Sequence, residues 1–170
     1  WVDLDAVLRR ERIPLFALES QDPVKEFDFL GITLQYEMCY TNILQVLDLS
    51  GIPLLAKDRT HEDPIVIGGG PCSYNPEPVC EFFDLFYIGE GETRYRELIT
   101  LYEECRKAGE GRREFLRRAA SLSGIYVPSL YEVSYKEDGT IEKMQPLCQQ
   151  APRRIVKELE KDLSNTYYPQ

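Results

Sequence analysis

The chain has 170 residues and a formal net charge of −9 at pH 7. That length accommodates one domain with a real core, or one domain with a small appendage. The acidic balance argues against a general binder of nucleic-acid phosphate backbones. No window approaches the run of about 18 apolar residues that a membrane span needs, and no basic segment followed by an apolar one marks secretion. We therefore expect a cytoplasmic protein.

Strands and helices alternate in the pattern of the first half of the chain. Apolar residues at helical spacing predict a helix at 2–12 and another from Thr41, its candidate N-cap, to Gly51. Short apolar runs predict three strands, which cover 13–18, 27–35 and 52–56. A polar connector, a further strand and a short helix follow at 57–63, 65–67 and 77–81.

The longest helix of the chain is predicted just after its midpoint. A strand at 85–88 leads into a helix at 92–108, where apolar residues recur every three or four positions. Gly109 and Gly111 close this helix and separate it from a second one at 112–122.

A β-hairpin is predicted after Gly124, where the apolar period changes from 3.6 to 2 residues. Alternating residues at 131–135 precede Asp138-Gly139, a strong hairpin turn, and a second strand at 140–144. The tail, 151–170, mixes charges of both signs without a core-forming pattern. We interpret it as a linker or a docking strand.

The alternation up to Ala108 predicts an α/β fold with a doubly wound parallel sheet, since parallel strands need a crossover that a helix supplies. Because the chain starts with Trp1, we interpret it as a piece of a longer polypeptide that lacks the first, central strand and the first helix of a flavodoxin-like sheet. The predicted organisation is an α/β domain at 1–124, a hairpin appendage at 125–150 and a linker at 151–170. The open strand edge predicts a homodimer or a strand swap.

Two neighbouring predicted strands end in glycine-rich loops. The first loop is Gly68-Gly69-Gly70-Pro71 and the second is Gly89-Glu90-Gly91-Glu92. Ligands of parallel α/β sheets bind outside the carboxyl ends of the strands, where backbone amides and helix N-termini converge. Equally, the first loop is explained by a tight turn that backbone geometry alone demands.

The acidic residues make the second loop a poor phosphate loop, because its two carboxylates repel anions. Paired catalytic acids are not favoured either, since no nucleophile or base accompanies them. Glu92 is a candidate cap of the long helix, and Glu90 a candidate to face a ligand.

The five cysteines include no C-x-x-C pair, so neither a zinc knuckle nor an iron–sulfur motif is present. An odd count without a secretion signal predicts buried, reduced thiols. Cys72, directly after the first glycine loop, is a candidate reactive thiol or axial ligand, although a structural role is favoured. The single histidine, His61, is predicted to be an exposed loop residue.

Aromatic and basic side chains supply two further candidates. The tyrosines at 36, 40 and 74 suit either a flat apolar pocket or packing in the core or at an interface. The arginines between 112 and 118 suit either contact with RNA or a solvated helix face, and the second is favoured.

Three segments, ITLQYEMCYTNIL, IVIGGGPCSYNPEPV and FDLFYIGEGE, carry a resemblance to a known family. They resemble the N-terminal domain of cobalamin-binding-domain radical SAM proteins. More closely, the chain resembles a largely uncharacterised bacterial subgroup in which a segment like APRRIVKELEKDLSNTYYP leads into the radical SAM barrel. This resemblance implies a Rossmann-like fold of the cobalamin-binding type.

The same resemblance implies the cofactors, the partner and the site. The whole protein would bind an iron–sulfur cluster through three cysteines and cleave S-adenosylmethionine, whereas this chain lacks that triad and carries no catalytic or metal-binding residue. Its partner would be the radical SAM barrel of the same polypeptide. Cobalamin would contact Thr33, Gln35, Tyr36, Gly68, Gly69, Gly70, Pro71, Cys72, Glu90, Gly91 and Glu92.

One departure from the family keeps two hypotheses open. The chain has no Asp-x-His-x-x-Gly loop, which supplies the lower axial histidine in many cobalamin domains. The first hypothesis is a cobalamin-binding-type domain that is not catalytic by itself. The second is a scaffold without cofactor that docks the barrel or recruits an RNA or protein substrate. They differ in whether Tyr36 and Tyr74 fill the ligand face. A small nucleotide-dependent transferase is a weaker third choice, because no phosphate loop is present.

Overall fold

The computed structural model describes residues 2–91, 94–162 and 164. By the density of its internal contacts the chain divides into two compact units, Trp1–Asp84 and Leu85–Gln170. Helices and strands alternate within the described residues, which confirms the predicted α/β class.

The first unit is built on two parallel strands. It contains α1 (Val2–Glu11), β1 (Phe29–Thr33), α2 (Tyr40–Leu49) and β2 (Ile65–Gly69). β1 pairs with β2 in parallel, from Phe29 opposite Ile65 to Thr33 opposite Gly69. The chain between the two strands includes α2, as a parallel connection requires. Ile65 to Gly68 are buried, so β2 lies in the core.

Two predicted strands of this unit are wrong. The segment 13–18 is not part of a sheet, because Leu15 donates its amide hydrogen bond to the Leu49 carbonyl and accepts one from Val24 (2.9 Å each). The segment 52–56 forms no strand either, because the carbonyls of Pro53 and Leu54 accept hydrogen bonds from a buried arginine, Arg59.

The predicted start of the second helix is also wrong, whereas its end is confirmed. A short 3₁₀ helix, Glu37–Cys39, runs directly into α2, so Thr41 lies inside the helix and caps nothing. Gly51 ends the helix with φ +67°, a conformation in which glycine meets no steric penalty. The predicted helix at 77–81 is a 3₁₀ helix, Glu77–Phe82.

The second unit combines a short antiparallel pair, two helices and a hairpin. Its elements are β3 (Leu85–Tyr87), α3 (Tyr95–Ala108), α4 (Arg112–Ala119), β4 (Ile125–Tyr126), β5 (Tyr131–Tyr135) and β6 (Ile141–Pro146). β5 and β6 form the predicted hairpin around Asp138-Gly139. Gly109 ends α3 at φ +70°, as predicted.

β4 was not predicted, and it makes the expectation of a wholly parallel sheet wrong. It pairs with β3 in antiparallel register, with Phe86 opposite Tyr126. The turn at Gly124, with φ +74°, reverses the chain after α4 so that the Gly124 carbonyl accepts a 2.7 Å hydrogen bond from Ile88.

A fully buried ion pair lies at the centre of the first unit. The side chains of Arg59 and Asp84 are 0% and 1% exposed, and Arg59 Nη1 lies 2.8 Å from Asp84 Oδ2. The same carboxylate oxygen accepts a 2.8 Å hydrogen bond from the amide of Val66 in β2. The ion pair is therefore tied directly to the core strand.

Three further hydrogen bonds of the Arg59 guanidinium go to backbone carbonyls. Nε donates to Pro53 (3.0 Å), and Nη2 donates to Leu54 (2.9 Å) and Phe82 (2.7 Å). Burial of a guanidinium is tolerated only when its donors are satisfied in this way. Arg59 thus connects the segment at 53–54 with the segment at 82–84, and Asp84 bonds in turn to β2.

We expect Arg59→Met to lower the free energy of unfolding by about 3–5 kcal/mol, because it leaves Asp84 buried without its cation. Lys57→Met is the matched control: Lys57 is exposed two residues earlier, and its loss should change stability by less than about 0.5 kcal/mol. Urea denaturation followed by circular dichroism measures both. Equal effects of the two substitutions would contradict a central role for the ion pair.

Candidate functional site

The carboxyl ends of β1 and β2 bring most of the candidate residues together. Beyond the last strand pair, the Leu34 amide donates to the Gly69 carbonyl (2.7 Å), and the Cys72 amide donates to the Leu34 carbonyl (2.9 Å). The first glycine loop is therefore fastened to the end of β1, next to Thr33. Sequence reasoning placed these two segments side by side, and the structure does the same.

The close approach at Gly70 is made by β1 itself. Gly70 has φ +88° and ψ −175°, a region that is essentially restricted to glycine. A Cβ atom there would lie 2.8 Å from Thr33 Cγ2 and 3.2 Å from the Leu34 amide nitrogen. Of the two explanations of the loop, this geometry favours the turn that backbone packing demands.

The side chains around this turn point outward. Thr33 and Gln35 are exposed, as are Tyr36 (58%), Met38 (74%) and Tyr74 (59%). We call these five residues the β1-end face. The scaffold hypothesis expects Tyr36 and Tyr74 to fill the ligand face, but neither tyrosine is buried enough to do so. The face presents polar and apolar groups together.

Cys72 sits in a cluster with Tyr40 and Glu37 behind the face. Burial raises the pKa of the Cys72 thiol, and the nearby Glu37 carboxylate raises it further. Burial also raises the pKa of the Tyr40 hydroxyl, which is hydrogen-bonded to Cys72. A thiol that stays protonated is a weak nucleophile and a weak metal ligand, so the raised pKa favours a structural role for Cys72.

The second glycine loop holds the tail of the chain. In the second unit, Gly89 forms a parallel β-bridge with Glu158. The Glu158 amide donates to the Ile88 carbonyl, and the Glu90 amide donates to the Glu158 carbonyl, both at 3.0 Å. A Cβ atom on Gly89 would collide with the Glu158 backbone. This glycine therefore provides clearance for a strand of the same chain.

The Glu90 carboxylate is also occupied by the tail. Its Oε2 accepts a 2.5 Å hydrogen bond from the Glu160 amide. Gly91 lies against the ring of Tyr95, which stacks on Tyr87 with 4.8 Å between centroids. Glu92, the predicted helix cap, lies outside the described residues.

Two of the four arginines between 112 and 118 pair with glutamates of the same unit. Arg117 pairs with Glu114, and Arg118 pairs with Glu110 at 2.8 Å, which favours a helix face over an RNA contact. His61 is exposed, as predicted. All five cysteines are free thiols, but the expectation of burial is correct only for Cys105. Cys72, Cys80 and Cys148 are half-buried, and Cys39 is exposed. Within the described residues, no group of three or more His, Cys, Asp or Glu side chains is placed to hold a metal ion.

Comparison with known proteins decides the family. Residues 1–128 match the family described as radical SAM proteins, N-terminal. The chain belongs to this family. An 83-residue stretch, 47% of the chain, is 39% identical to an uncharacterized protein of Methanocaldococcus jannaschii. That stretch spans only 17% of the relative's length. No solved structure matches the chain.

This match confirms the coarser part of the resemblance, a radical SAM N-terminal domain. The cobalamin-binding subtype and the bacterial subgroup stay predictions. None of the helices in the described ranges of this radical SAM N-terminal domain has the length and apolar character to cross a membrane.

Sequence reasoning missed the partner of the second glycine loop. Glu158 lies 69 positions beyond Gly89, in a tail whose charges conceal any strand pattern. The only usable signal in the sequence was the presence of glycine at positions 89 and 124. In the structure, both glycines adopt positive φ and both approach Glu158. Sequence spacing alone does not reveal such an approach.

We expect Gly70→Ala to destabilise the domain by about 2–4 kcal/mol, because alanine is strained at this φ and ψ and clashes with Thr33. Gly51→Ala is the control, since Gly51 also has positive φ but nothing lies within 4 Å of its Cβ position. Its cost should be about 1–2 kcal/mol. Urea denaturation compares the two.

The pair Gly70→Ala and Thr33→Ser tests the contact directly. Serine lacks the Cγ2 atom that the new Cβ would meet, so Thr33→Ser should recover part of the loss caused by Gly70→Ala. Strictly additive effects of the two substitutions would contradict the proposed clash.

Cys80 should react slowly with iodoacetamide until the solution is strongly alkaline. Burial, with help from Glu77 and Glu81, raises the pKa of its thiol from 9.0 to about 11. The protonated thiol stabilises the fold below pH 9.0, and this contribution is lost as the pH rises through about 11. Mass spectrometry of the alkylated protein measures the rate against pH, and Glu77→Gln should shift the curve to lower pH. A rate that levels off near pH 9 would contradict the raised pKa.

Proposed function

We propose that this chain is the cluster-free N-terminal domain of a radical SAM enzyme and that its β1-end face docks the radical SAM barrel of the same polypeptide. The observation that carries the proposal is the exposed β1-end face in a domain whose family precedes radical SAM chemistry. The domain is then a scaffold, and the reaction takes place on the barrel.

The distribution of cysteines supports a protein in which the iron–sulfur cluster is bound outside this domain. Radical SAM proteins hold their iron–sulfur cluster through three neighbouring cysteines, and the cysteines of this chain are widely separated in sequence. The curated relative extends far beyond the aligned stretch, which covers 17% of it. We infer that the cluster and S-adenosylmethionine are bound by the remainder of such a longer polypeptide.

The composition of the β1-end face supports docking. Tyr36, Met38 and Tyr74 each expose more than half of their surface. Tyrosine and methionine are enriched in the centres of protein interfaces, and methionine adapts to irregular partners. Thr33 and Gln35 add hydrogen-bonding groups of the kind found at an interface rim.

Cobalamin is the second candidate occupant of this face. The exposed Thr33 and Gln35 side chains, at the carboxyl end of a parallel strand, favour it because they offer hydrogen bonds to a polar ligand. Gly70 and Cys72 fit cobalamin less well. The space beside Gly70 is occupied by Thr33 and Leu34, and the raised pKa of the Cys72 thiol makes it a weak ligand. We therefore rank docking above cofactor binding.

The test uses the whole polypeptide that contains this domain, reconstituted anaerobically with iron and sulfide and supplied with dithionite as the electron donor. We expect it to form 5′-deoxyadenosine from S-adenosylmethionine, and the double variant Tyr36→Ser, Met38→Ser to lose about 90% of that rate, because loss of apolar anchors weakens docking. The matched control is Tyr135→Ser, Met144→Ser, which removes the same residue types from the exposed hairpin.

Two results would refute the docking proposal. One is a whole polypeptide that forms no 5′-deoxyadenosine, and the other is a β1-end double variant that behaves like the hairpin control. Circular dichroism of each variant shows whether the domain has kept its fold.

A titration with hydroxocobalamin and methylcobalamin tests the second candidate. A saturable spectral change that weakens in Thr33→Val but not in the control Thr100→Val would establish cobalamin binding at this face. The absence of any change, in the chain and in the whole polypeptide, would leave docking as the function.

A further inference from the structure

The tail of the second unit lies in a slot made for an extended strand. We call residues 157–160 the tail strap. Its Glu158 exchanges two backbone hydrogen bonds with the end of β3, to the Ile88 carbonyl and from the Glu90 amide. The Glu160 amide adds a third hydrogen bond, to the Glu90 carboxylate. The two backbone bonds form a single parallel β-bridge to the segment that follows β3, and the third ties the strap to a side chain of that segment.

Two glycines provide the clearance of the slot. A Cβ atom on Gly89 would collide with the Glu158 backbone, and one on Gly124 would lie 3.1 Å from Glu158 Cγ. Both glycines have positive φ, +117° and +74°. A side chain at Gly89 would push the strap backbone away, whereas a Cβ atom at Gly124 would first meet the Ile88 carbonyl at 2.9 Å. The close approach of the strap backbone therefore depends on Gly89.

The positive charge of Arg94 favours an acidic residue at position 158, which forms the β-bridge with Gly89. Arg94 Nε lies 3.5 Å from the Glu158 carboxylate, whose side chain is 17% exposed. Arg94 also pairs with Glu97, so its guanidinium is held beside the slot. An acidic residue therefore fits the bridge position better than a neutral or basic one.

Apolar burial contributes little to holding the strap. Leu159, the apolar residue of the strap, exposes 53% of its surface. Polar contacts at a surface contribute modestly to stability, and segments with few buried apolar contacts open before the rest of a domain. The observed contacts are therefore those of a segment that can open while β3 stays folded.

We propose that the tail strap is a detachable strand that covers the carboxyl end of β3 and selects an acidic residue at its bridge position. Closed, it occupies the Ile88 and Glu90 backbone groups and the Glu90 carboxylate. Open, it releases all three and frees the tail. When closed, the strap would also set the direction of the chain towards a barrel. This role rests on the proposed function, whereas the opening of the strap does not.

Native-state hydrogen exchange of the whole chain, read by NMR, tests the opening. The reference is the Ile88 amide, which bonds to Gly124 in the same unit. We expect the Glu158 and Glu90 amides to be protected and yet to exchange about tenfold or more faster than Ile88, because they exchange through a local opening. Exchange at the rate of Ile88 would show a strap that does not detach, and no protection would show that it does not form. Either result overturns the proposal.

Substitutions on the tail test the individual contacts without touching β3. Glu158→Pro removes the donor to Ile88 and should increase exchange at Glu90 about tenfold or more, since a proline cannot pair there. Val156→Pro is the control, because Val156 is exposed and lies outside the strap. Glu158→Gln removes only the charge and should increase exchange about two- to fivefold. Equal effects of the two prolines, or no effect of Glu158→Gln, would contradict the model of the strap.

The slot itself is tested by Gly89→Ala against Gly139→Ala. Both glycines have positive φ, but nothing lies within 4 Å of the Cβ position at Gly139. Loss of protection at Glu158 and Glu160 should follow only the first substitution. Because all these readings concern the chain alone, a whole polypeptide that fails to cleave S-adenosylmethionine would refute docking and leave the strap untouched.

Discussion

The buried ion pair between Arg59 and Asp84 is the constraint on which the first unit depends. Two opposite charges in a core are stable only if their remaining hydrogen-bonding groups are also paired. Here backbone carbonyls bond to the guanidinium, and the amide of Val66 bonds to the carboxylate. That requirement fixes the loop before Arg59 and the segment after Phe82 against β2. The register of β2, and with it the position of the glycine turn beyond its end, follows from this arrangement.

Elements with a clear period or a strong turn signal could be predicted from the sequence. The parallel pair of β1 and β2, the end of α2 at Gly51 and the hairpin at Asp138-Gly139 are of this kind. Arg59 was read as part of a polar connector, because no local pattern distinguishes a buried arginine from an exposed one. β4 has only two residues, too few for any period to show. In both cases tertiary contacts decide the structure.

The candidate site shows why a glycine-rich loop after a strand is an ambiguous signal. Missing side chains allow a ligand to approach, but they equally allow another backbone to approach. Gly70 approaches Thr33, and Gly89 approaches Glu158, so both loops are explained by contacts inside their own unit. The sequence analysis grouped Thr33 with the first loop, and the strand pairing does place Thr33 opposite Gly69. The exposure of Tyr36 and Met38, which makes the neighbourhood of Thr33 a surface, could be seen only in the structure.

The partners of Arg59 also divide by their distance along the chain, and this has a consequence for folding order. Its carbonyl partners Pro53 and Leu54 are six and five residues away, whereas Phe82 and Asp84 are 23 and 25 residues away. Closing a short loop costs less entropy than closing a long one. The guanidinium can therefore be oriented by its own loop first and receive the distant carboxylate afterwards. The buried charge of Arg59 is thereby oriented early in folding, by hydrogen bonds to residues that are close to it in the sequence.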